Sequence, residues 1–125
     1  MNYNVSLVDP KTQEVIEFVK PHHWGYGAMV GMDRNGNDIP NRYADMNITY
    51  NYGRHFHLIN KDEGLRFLDG MPGGQAATFL LPAITSLSQD RDPDYWKPTE
   101  GNVRVALEAL LWFALKRPDG IFEVL

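Results

Sequence analysis

The stretch from Thr99 to Lys116 constrains the fold most, because its apolar residues repeat with the period of an α-helix over its whole length. Thr99 is a favourable N-cap residue, and Lys116 lies at the negative end of the helix dipole. Pro118 and Gly120 follow and favour termination. We expect this helix to be the centre of the domain. The apolar stripe consists of Val103, Leu107, Leu110, Leu111 and Ala114.

Two further segments also have helical patterns. The first, Gly73 to Leu87, contains Pro82, which lacks an amide hydrogen and predicts a kink or a late helix start. Its apolar face comprises Phe79, Leu80, Ala83, Ile84 and Leu87. The other would begin at a cap on Asn47 or Thr49 and run to about Ile59. On that helix the shared apolar face is Ile48, Tyr52, Phe56 and Ile59.

The N-terminal segments predict strands. Tyr3–Val8 and Glu14–Val19 are rich in branched and aromatic residues and flank a turn, which predicts a β-hairpin. Asn35-Gly36 is a hairpin-turn dipeptide, so 26–32 and 39–43 are expected to be short strands. Ile121–Leu125 is either a terminal strand or an arm on a partner subunit. The prediction is a single α+β domain spanning residues 1–125, with a small antiparallel sheet of two to four strands packed against three helices.

Composition excludes several classes of function. The 125 residues carry a net charge of −4 and no cysteine, which disfavours nucleic-acid wrapping and excludes a thiolate nucleophile or a cysteine zinc site. The N-terminus has no secretory signal pattern, and the longest apolar run, Ala109–Leu115, is much shorter than the ~20 residues of a membrane span. We expect a cytoplasmic protein with no membrane partner.

The run from Asn47 to His57 is unusually dense in Asn, Tyr, Arg and His. Such side chains, when buried, need hydrogen-bond partners, so the run either holds the fold together or binds a ligand. In the ligand hypothesis Trp24 or Trp96 stacks on a planar group, Arg54 holds phosphate, and Asn47, Tyr50 and Asn51 supply hydrogen bonds. In the structural alternative the tryptophans are core residues and the two asparagines bind loop backbone.

Other chemistries have weaker support. His22-His23, His55 and His57, with Asp45, could supply metal ligands. Residues two apart on a helix, however, point roughly 200° apart. The glycines of 70–74 precede a helix and could bind phosphate, but no Lys, Ser or Thr follows them at phosphate-loop spacing. No serine lies in a glycine elbow. Catalysis and a bound cofactor are therefore not favoured.

Four motifs in chain order resemble a family of small uncharacterised bacteriophage and prophage proteins, also present in bacteria. They are His22-His23-Trp24-Gly25, Asn47-Ile48-Thr49-Tyr50-Asn51-Tyr52, Asp94-Tyr95-Trp96-Lys97-x-Thr99-Glu100-Gly101-Asn102 and Arg117-Pro118-Asp119-Gly120. The resemblance implies a phage setting inside a bacterial host cell but no particular activity. The chain departs from the family pattern at Met71-Pro72-Gly73, where a Lys-Thr-Gly-like helix start is usual.

The favoured hypothesis is a phage-type accessory protein that counters host defence by sequestering a small polar ligand, such as a nucleotide signal, without catalysis. The predicted ligand-binding residues are Trp24, Asn47, Tyr50, Asn51, Arg54 and Trp96. One alternative is an inhibitor that binds a host protein directly, and another is a small metal-dependent hydrolase. Trp112 and Phe113 extend the apolar surface of the last helix beyond one stripe, which predicts a homo-oligomer.

Overall fold

The computed structural model describes residues 1–22, 24 and 41–125 and confirms a mixed α+β fold. Within these residues the strands are β1 (Asn2–Val8), β2 (Glu17–His22), β3 (Asn41–Tyr43), β4 (Asp45–Thr49) and β5 (Ile121–Val124). Its helices are a long 3-10 helix (Tyr50–Leu58), a short 3-10 helix (Gly64–Leu68), α1 (Gly73–Ser86) and α2 (Glu100–Lys116).

The main sheet is antiparallel with the strand order β4-β1-β5. In β1, Val5 pairs with Met46 on one side and with Val124 on the other, and all three side chains are buried in the core. The opposite face carries polar pairs such as Asn4 and Asn47. Residues 121–125 were expected to form either a terminal strand or an arm on a partner subunit. Because β5 pairs with β1 of the same chain, the terminal strand is the one observed.

The predicted N-terminal hairpin forms only at its base. Val8 and Val15 make an isolated bridge, and the Ile16 amide donates to the Leu7 carbonyl at 2.9 Å. Beyond this point β2 leaves β1 and pairs with β3 in a separate two-stranded sheet. The physical reason is that both edges of β1 are already occupied, by β4 and β5. The strand predicted at 26–32 lies outside the described residues, and of 39–43 the described part is β3.

Both predicted α-helices are present, and they pack on each other. The Thr99 hydroxyl caps α2 by accepting from the Asn102 amide at 3.2 Å. Of the two expectations for α1, a kink or a late start, the late start is wrong, because the helix begins at Gly73 and carries Pro82 in its interior on the exposed side. Within the predicted stripe of α2, Val103, Leu107, Leu110 and Ala114 are fully buried and Leu111 is partly buried.

The predicted helix after Thr49 is present as a 3-10 helix. The Thr49 hydroxyl accepts from the Asn51 amide at 3.2 Å, so Thr49 is the cap and Asn47 belongs to β4. A 3-10 helix has three residues per turn, so residues three apart lie on one line of its surface. Asn51 and Arg54 therefore share a line. The expected apolar face is buried, namely Ile48, Tyr52, Phe56 and Ile59.

The second apolar surface of α2 is covered within the chain. The ring of Phe18, on β2, lies 5.1 Å from the Trp112 ring and 5.9 Å from the Phe113 ring, and His22 lies 5.1 Å from Phe113. These contacts account within the chain for part of the apolar surface of Trp112 and Phe113, and the homo-oligomer stays a prediction. Among the helices of the described residues, none is both long enough and apolar enough to cross a bilayer.

Candidate functional site

The polar side chains of the long 3-10 helix point at the loop that precedes α2. Asn51 donates from Nδ2 to the Trp96 carbonyl at 3.0 Å, and the Tyr52 hydroxyl donates to the Tyr95 carbonyl. Arg54 reaches the Pro98 carbonyl at 3.4 Å, where Nε2 of His55 also lies at 2.9 Å. The dense run of polar residues therefore binds backbone more than forty positions further along the chain.

Asn102, in the first turn of α2, holds the same loop from the other side. Its Nδ2 donates to the carbonyls of Asp94 at 3.1 Å and Lys97 at 3.0 Å. Its Oδ1 accepts from the Asp92 amide at 3.0 Å. This side chain is 4% exposed, and these bonds satisfy both its donors and its acceptor. We call Asn51, Tyr52, Arg54, His55 and Asn102 the loop clamp.

Short-range bonds complete the loop between the clamp residues. Asp92 Oδ1 accepts from the Asp94 amide at 2.8 Å, and Asp94 Oδ1 accepts from the Trp96 amide at 3.1 Å. The Lys97 ammonium lies 3.5 Å from Asp92 Oδ2. Asp and Asn side chains commonly stabilise turns in this way. The backbone around Trp96 is thus bound on both sides of the residue.

Gly101 allows the chain before the loop to pass directly over the start of α2. Its amide donates to the Asp90 carbonyl at 3.0 Å. A Cβ at this position would lie 2.4 Å from the Asp90 carbonyl carbon and 2.7 Å from the Arg91 nitrogen, which is closer than real contacts permit. The Thr99 to Asn102 motif is therefore explained by capping, close backbone approach and loop binding.

Tyr52 is the most deeply buried donor that the long 3-10 helix contributes to the clamp. The whole residue is inaccessible to solvent, and burial raises the pKa of its hydroxyl to about 12. The phenol consequently remains protonated and able to donate to the Tyr95 carbonyl at physiological pH. A buried neutral donor paired with a buried carbonyl keeps its hydrogen bond without the desolvation cost of a charge.

The clamped loop presents an exposed aromatic side chain. Trp96 is 44% exposed, and its ring centroid lies 4.6 Å from that of Tyr95 at an interplanar angle of 34°. Asn51 and Arg54, both exposed, border the loop through the bonds described above. We call Trp96, Tyr95, Asn51 and Arg54 the Trp96 surface. It contains three of the six predicted ligand-binding residues.

The other three predicted residues have different surroundings. Tyr50 packs edge-on against Tyr3, with ring centroids 4.6 Å apart, and its hydroxyl accepts from Arg66 at 3.3 Å. That bond raises the pKa of the Arg66 guanidinium. Asn47 pairs with Asn4 on the outer face of the main sheet. Trp24 follows β2 and packs partly buried against the core. The contacts named here give these three residues neighbours outside the Trp96 surface, and the six-residue ligand site stays a prediction.

His22 has a structural environment. Its ring is 4% exposed, its Nε2 lies 2.6 Å from the Tyr43 carbonyl, and its Nδ1 accepts from the Trp24 amide at 3.1 Å. Because Nδ1 is an acceptor, the proton is on Nε2, which donates to Tyr43. Both ring nitrogens are thus used to join β3 and Trp24 to β2, which leaves neither for a metal ion.

The metal and phosphate alternatives gain no support from the part of the chain that is described. Within residues 1–22, 24 and 41–125 no three His, Asp or Glu side chains are arranged to hold a metal ion, and His23 lies outside that part. At the start of α1 the Gly73 amide donates to the Gly120 carbonyl at 2.7 Å and the Gly74 amide to Pro118 at 3.0 Å. These amides are therefore not available to a phosphate.

A shallow cavity of about 290 Å³ lies on another part of the molecule, between the β1–β2 turn and β5. Two of its carboxylates already have partners: Asp9 lies 3.0 Å from Arg117, and Asp69 accepts from the Val124 amide at 2.9 Å. It includes no residue of the Trp96 surface. The cavity and the predicted site are consequently separate features.

Sequence reasoning missed two residues that build the site. Asn102 appeared only as part of a motif, although a polar amide in the first turn of a strongly apolar helix was a signal that it has a backbone partner. Gly101 was likewise assigned no role, although glycine early in a helix is unfavourable unless another backbone comes close.

Comparisons with protein-family models, with curated proteins and with solved structures gave no significant match for this chain.

Proposed function

We propose that this chain is a non-catalytic binding protein that recognises a partner protein through the Trp96 surface. The observation that carries the proposal is the position of Trp96, which is 44% exposed on a loop bound from both sides by the clamp. Single exposed apolar side chains are common on protein surfaces. Here the loop backbone of the tryptophan is also tied by buried donors, and such preorganisation favours a role in recognition.

The clamp supports the proposal through conformational entropy. Loops usually lose freedom when they bind, and that loss weakens affinity. Bonds from Asn51, Tyr52 and Asn102 to the loop reduce the freedom that remains to be lost. Tryptophan, tyrosine and arginine are also the residues that most often dominate binding energy at protein interfaces, and the Trp96 surface contains one of each.

The resemblance to phage proteins supplies the setting for this proposal. In that setting the partner would be a host protein, and the chain would act as an accessory inhibitor of host defence. This was the first alternative from the sequence. It is favoured here over sequestration of a small ligand because only half of the predicted ligand residues meet at one surface, whereas a protein partner needs an exposed patch and no enclosing pocket.

Nucleotide sequestration remains a second candidate, and one observation favours it. Asn51 and Arg54 lie on one line of the 3-10 helix, and their amide and guanidinium bond the backbone of the loop that carries the Trp96 ring. Calorimetry with a panel of cyclic and ADP-ribose-type nucleotides tests it. Binding that is lost in Trp96→Ala would replace the protein-partner proposal, and no heat at high micromolar concentrations would exclude the nucleotide.

Affinity capture from bacterial host extract tests the main proposal. The wild-type chain is expected to retain a defined protein that Trp96→Ala loses, because the variant removes the ring and leaves the backbone bonds of the loop in place. Tyr43→Ala is the matched control, since Tyr43 is also an exposed aromatic, at 49%, but lies on β3. Equal capture by wild type and Trp96→Ala would contradict the proposal.

A further inference from the structure

The charges around Trp96 indicate which chemistry its partner should carry. From Asp90 to Glu100 the loop has four acidic and two basic side chains. One basic group, Lys97, pairs with Asp92 at 3.5 Å. Asp90 and Asp94 are both exposed and precede the aromatic pair in the chain. The loop therefore carries two aromatic side chains and more negative than positive charges.

The position of Asp94 relative to Trp96 is fixed. One carboxylate oxygen of Asp94 accepts from the Trp96 amide at 3.1 Å, which holds the carboxylate at the base of the tryptophan. Asn102 in turn binds the Asp94 carbonyl at 3.1 Å. The negative charge and the ring are thus set in place together before any partner arrives, so little reorganisation is needed to use both.

We propose that the Trp96 surface binds a basic segment of its partner, with a lysine or arginine side chain over the Trp96 ring and its cation toward the carboxylate of Asp94. This rests on the proposed function and specifies the partner's chemistry. A cation within about 6 Å of an indole centroid is attracted by the ring face, and tryptophan is the strongest aromatic partner for it. Nearby carboxylates add a charge attraction that draws a basic segment to this loop.

Arg54 does not reverse this preference. Its guanidinium donates to the Pro98 carbonyl at 3.4 Å, so part of its hydrogen-bonding capacity is used by the loop itself. The whole chain also carries a net charge of −4. An acidic partner or a phosphate group would approach against the charge of the loop and of the protein.

Titration of the ¹⁵N-labelled protein with an eight-residue lysine peptide is the direct test, and a glutamate peptide of the same length is the comparison. The indole N–H resonance of Trp96 reports on the proposed contact. The lysine peptide is expected to shift this resonance in a saturable manner, and the glutamate peptide is expected to leave it unchanged. The inference would be overturned if the glutamate peptide shifted the resonance, or if neither peptide shifted it.

The variant Asp90→Asn/Asp94→Asn distinguishes the effect on peptide binding of charge in the loop from the effect of the net charge of the whole protein. Asparagine keeps the Oδ1 acceptor that Trp96 needs but removes the carboxylate charge. We expect it to weaken lysine-peptide binding roughly ten-fold, the effect of losing two exposed ion pairs. Asp62→Asn/Glu63→Gln removes the same charge from the turn between the 3-10 helices, where both side chains are exposed, and should change the affinity less than about two-fold. Equal losses in the two variants would overturn the inference.

The two proposals can fail separately in these experiments. If the lysine peptide leaves Trp96 unaffected while a host protein is still captured in a Trp96-dependent manner, the basic segment is excluded and the proposed function stands. If capture does not depend on Trp96 and the peptide does not bind, both are excluded.

Discussion

Two sets of contacts join distant parts of this chain, and they differ in the kind of groups they use. The loop clamp is built mainly from neutral donors, of which Tyr52 and Asn102 are buried. The second set joins the β1–β2 turn to the end of α2 and is built from charges. In it Arg117 lies 3.0 Å from Asp9 and 2.9 Å from Asp119 at the surface. We call these three residues the charged brace.

The difference indicates which connection the fold depends on. When a buried hydrogen-bonding group is removed, its former partners have neither a protein group nor water to bond. Each unsatisfied group costs about 1 to 3 kcal/mol. Surface ion pairs are screened by water and salt and contribute much less. The clamp should therefore control both stability and the position of Trp96, whereas the brace should modulate stability only with pH and salt.

The largest expected effect comes from Asn102→Ala. The substitution deprives the carbonyls of Asp94 and Lys97 and the amide of Asp92 of their partner. We expect the free energy of unfolding to fall by about 3 kcal/mol, measured by urea denaturation. Asn60→Ala is the control, because Asn60 bonds only the amides of the turn that follows it. A loss in Asn102→Ala no larger than the loss in Asn60→Ala would contradict the role given to the clamp.

The second effect concerns the close approach at Gly101. Gly101→Ala places a methyl group 2.4 Å from the Asp90 carbonyl carbon, so the chain before the loop must shift. We expect a destabilisation of about 2 kcal/mol in thermal or urea unfolding. Gly74→Ala is well matched, since Gly74 is also the second residue of an α-helix but its added Cβ would have its nearest contact at 3.5 Å. Equal stability of the two variants would show that the Asp90 backbone is not held against α2.

The third effect isolates one bond of the clamp. Tyr52→Phe keeps the buried ring and removes the donor to the Tyr95 carbonyl, which should cost about 1 to 2 kcal/mol. Because burial raises the pKa of Tyr52, the contribution of this residue to stability should depend on pH in the alkaline range. The unfolded phenol ionises near pH 10, so wild-type stability should decline as pH rises from about 10 toward 12. The difference between wild type and Tyr52→Phe should shrink over that window, and a constant difference would contradict the assignment.

The smallest effect belongs to the charged brace. Arg117 lowers the pKa of Asp9 and of Asp119 through its hydrogen bonds. Folded-state pKa values below those of the unfolded chain mean that this stabilisation is present above about pH 4 and is lost as the pH falls through the lowered values. We expect Arg117→Gln to be slightly less stable than wild type at pH 7 and equal to it at strongly acidic pH or in high salt. A difference that persists in acid would assign another role to Arg117.

Local patterns in the sequence predicted the elements that depend on local contacts. The stripe and cap of α2, the apolar face after Thr49 and the terminal strand option all follow from periodicity and capping chemistry. The departure of β2 from β1 could not be predicted, because it depends on β4 and β5 occupying both edges of β1 from distant positions. The 3-10 form of the helix after Thr49 was also missed, because its buried residues Tyr52 and Phe56 are four apart, the spacing expected of an α-helix.

The candidate site was predicted in part for a similar reason. Asn51 and Arg54 bond the loop that carries Trp96, but the sequence left open whether the amides bind loop backbone or a ligand. The structure gives Asn51 the Trp96 carbonyl as a partner across 45 positions. Residues so far apart in the sequence give no periodic pattern from which their contact could be predicted. Asn47 and Tyr50 were included because they are close in sequence to Asn51, yet their side chains have other neighbours.

The central claim is that the clamp holds the loop rigid while leaving Trp96 exposed. Backbone ¹⁵N relaxation of the amides of Asp94, Tyr95, Trp96 and Lys97 tests this most directly. Wild-type order parameters are expected to be about 0.85, equal to those of α2, and to fall in Tyr52→Phe and Asn102→Ala. Values below about 0.6 in the wild type would show a mobile loop and would contradict the account.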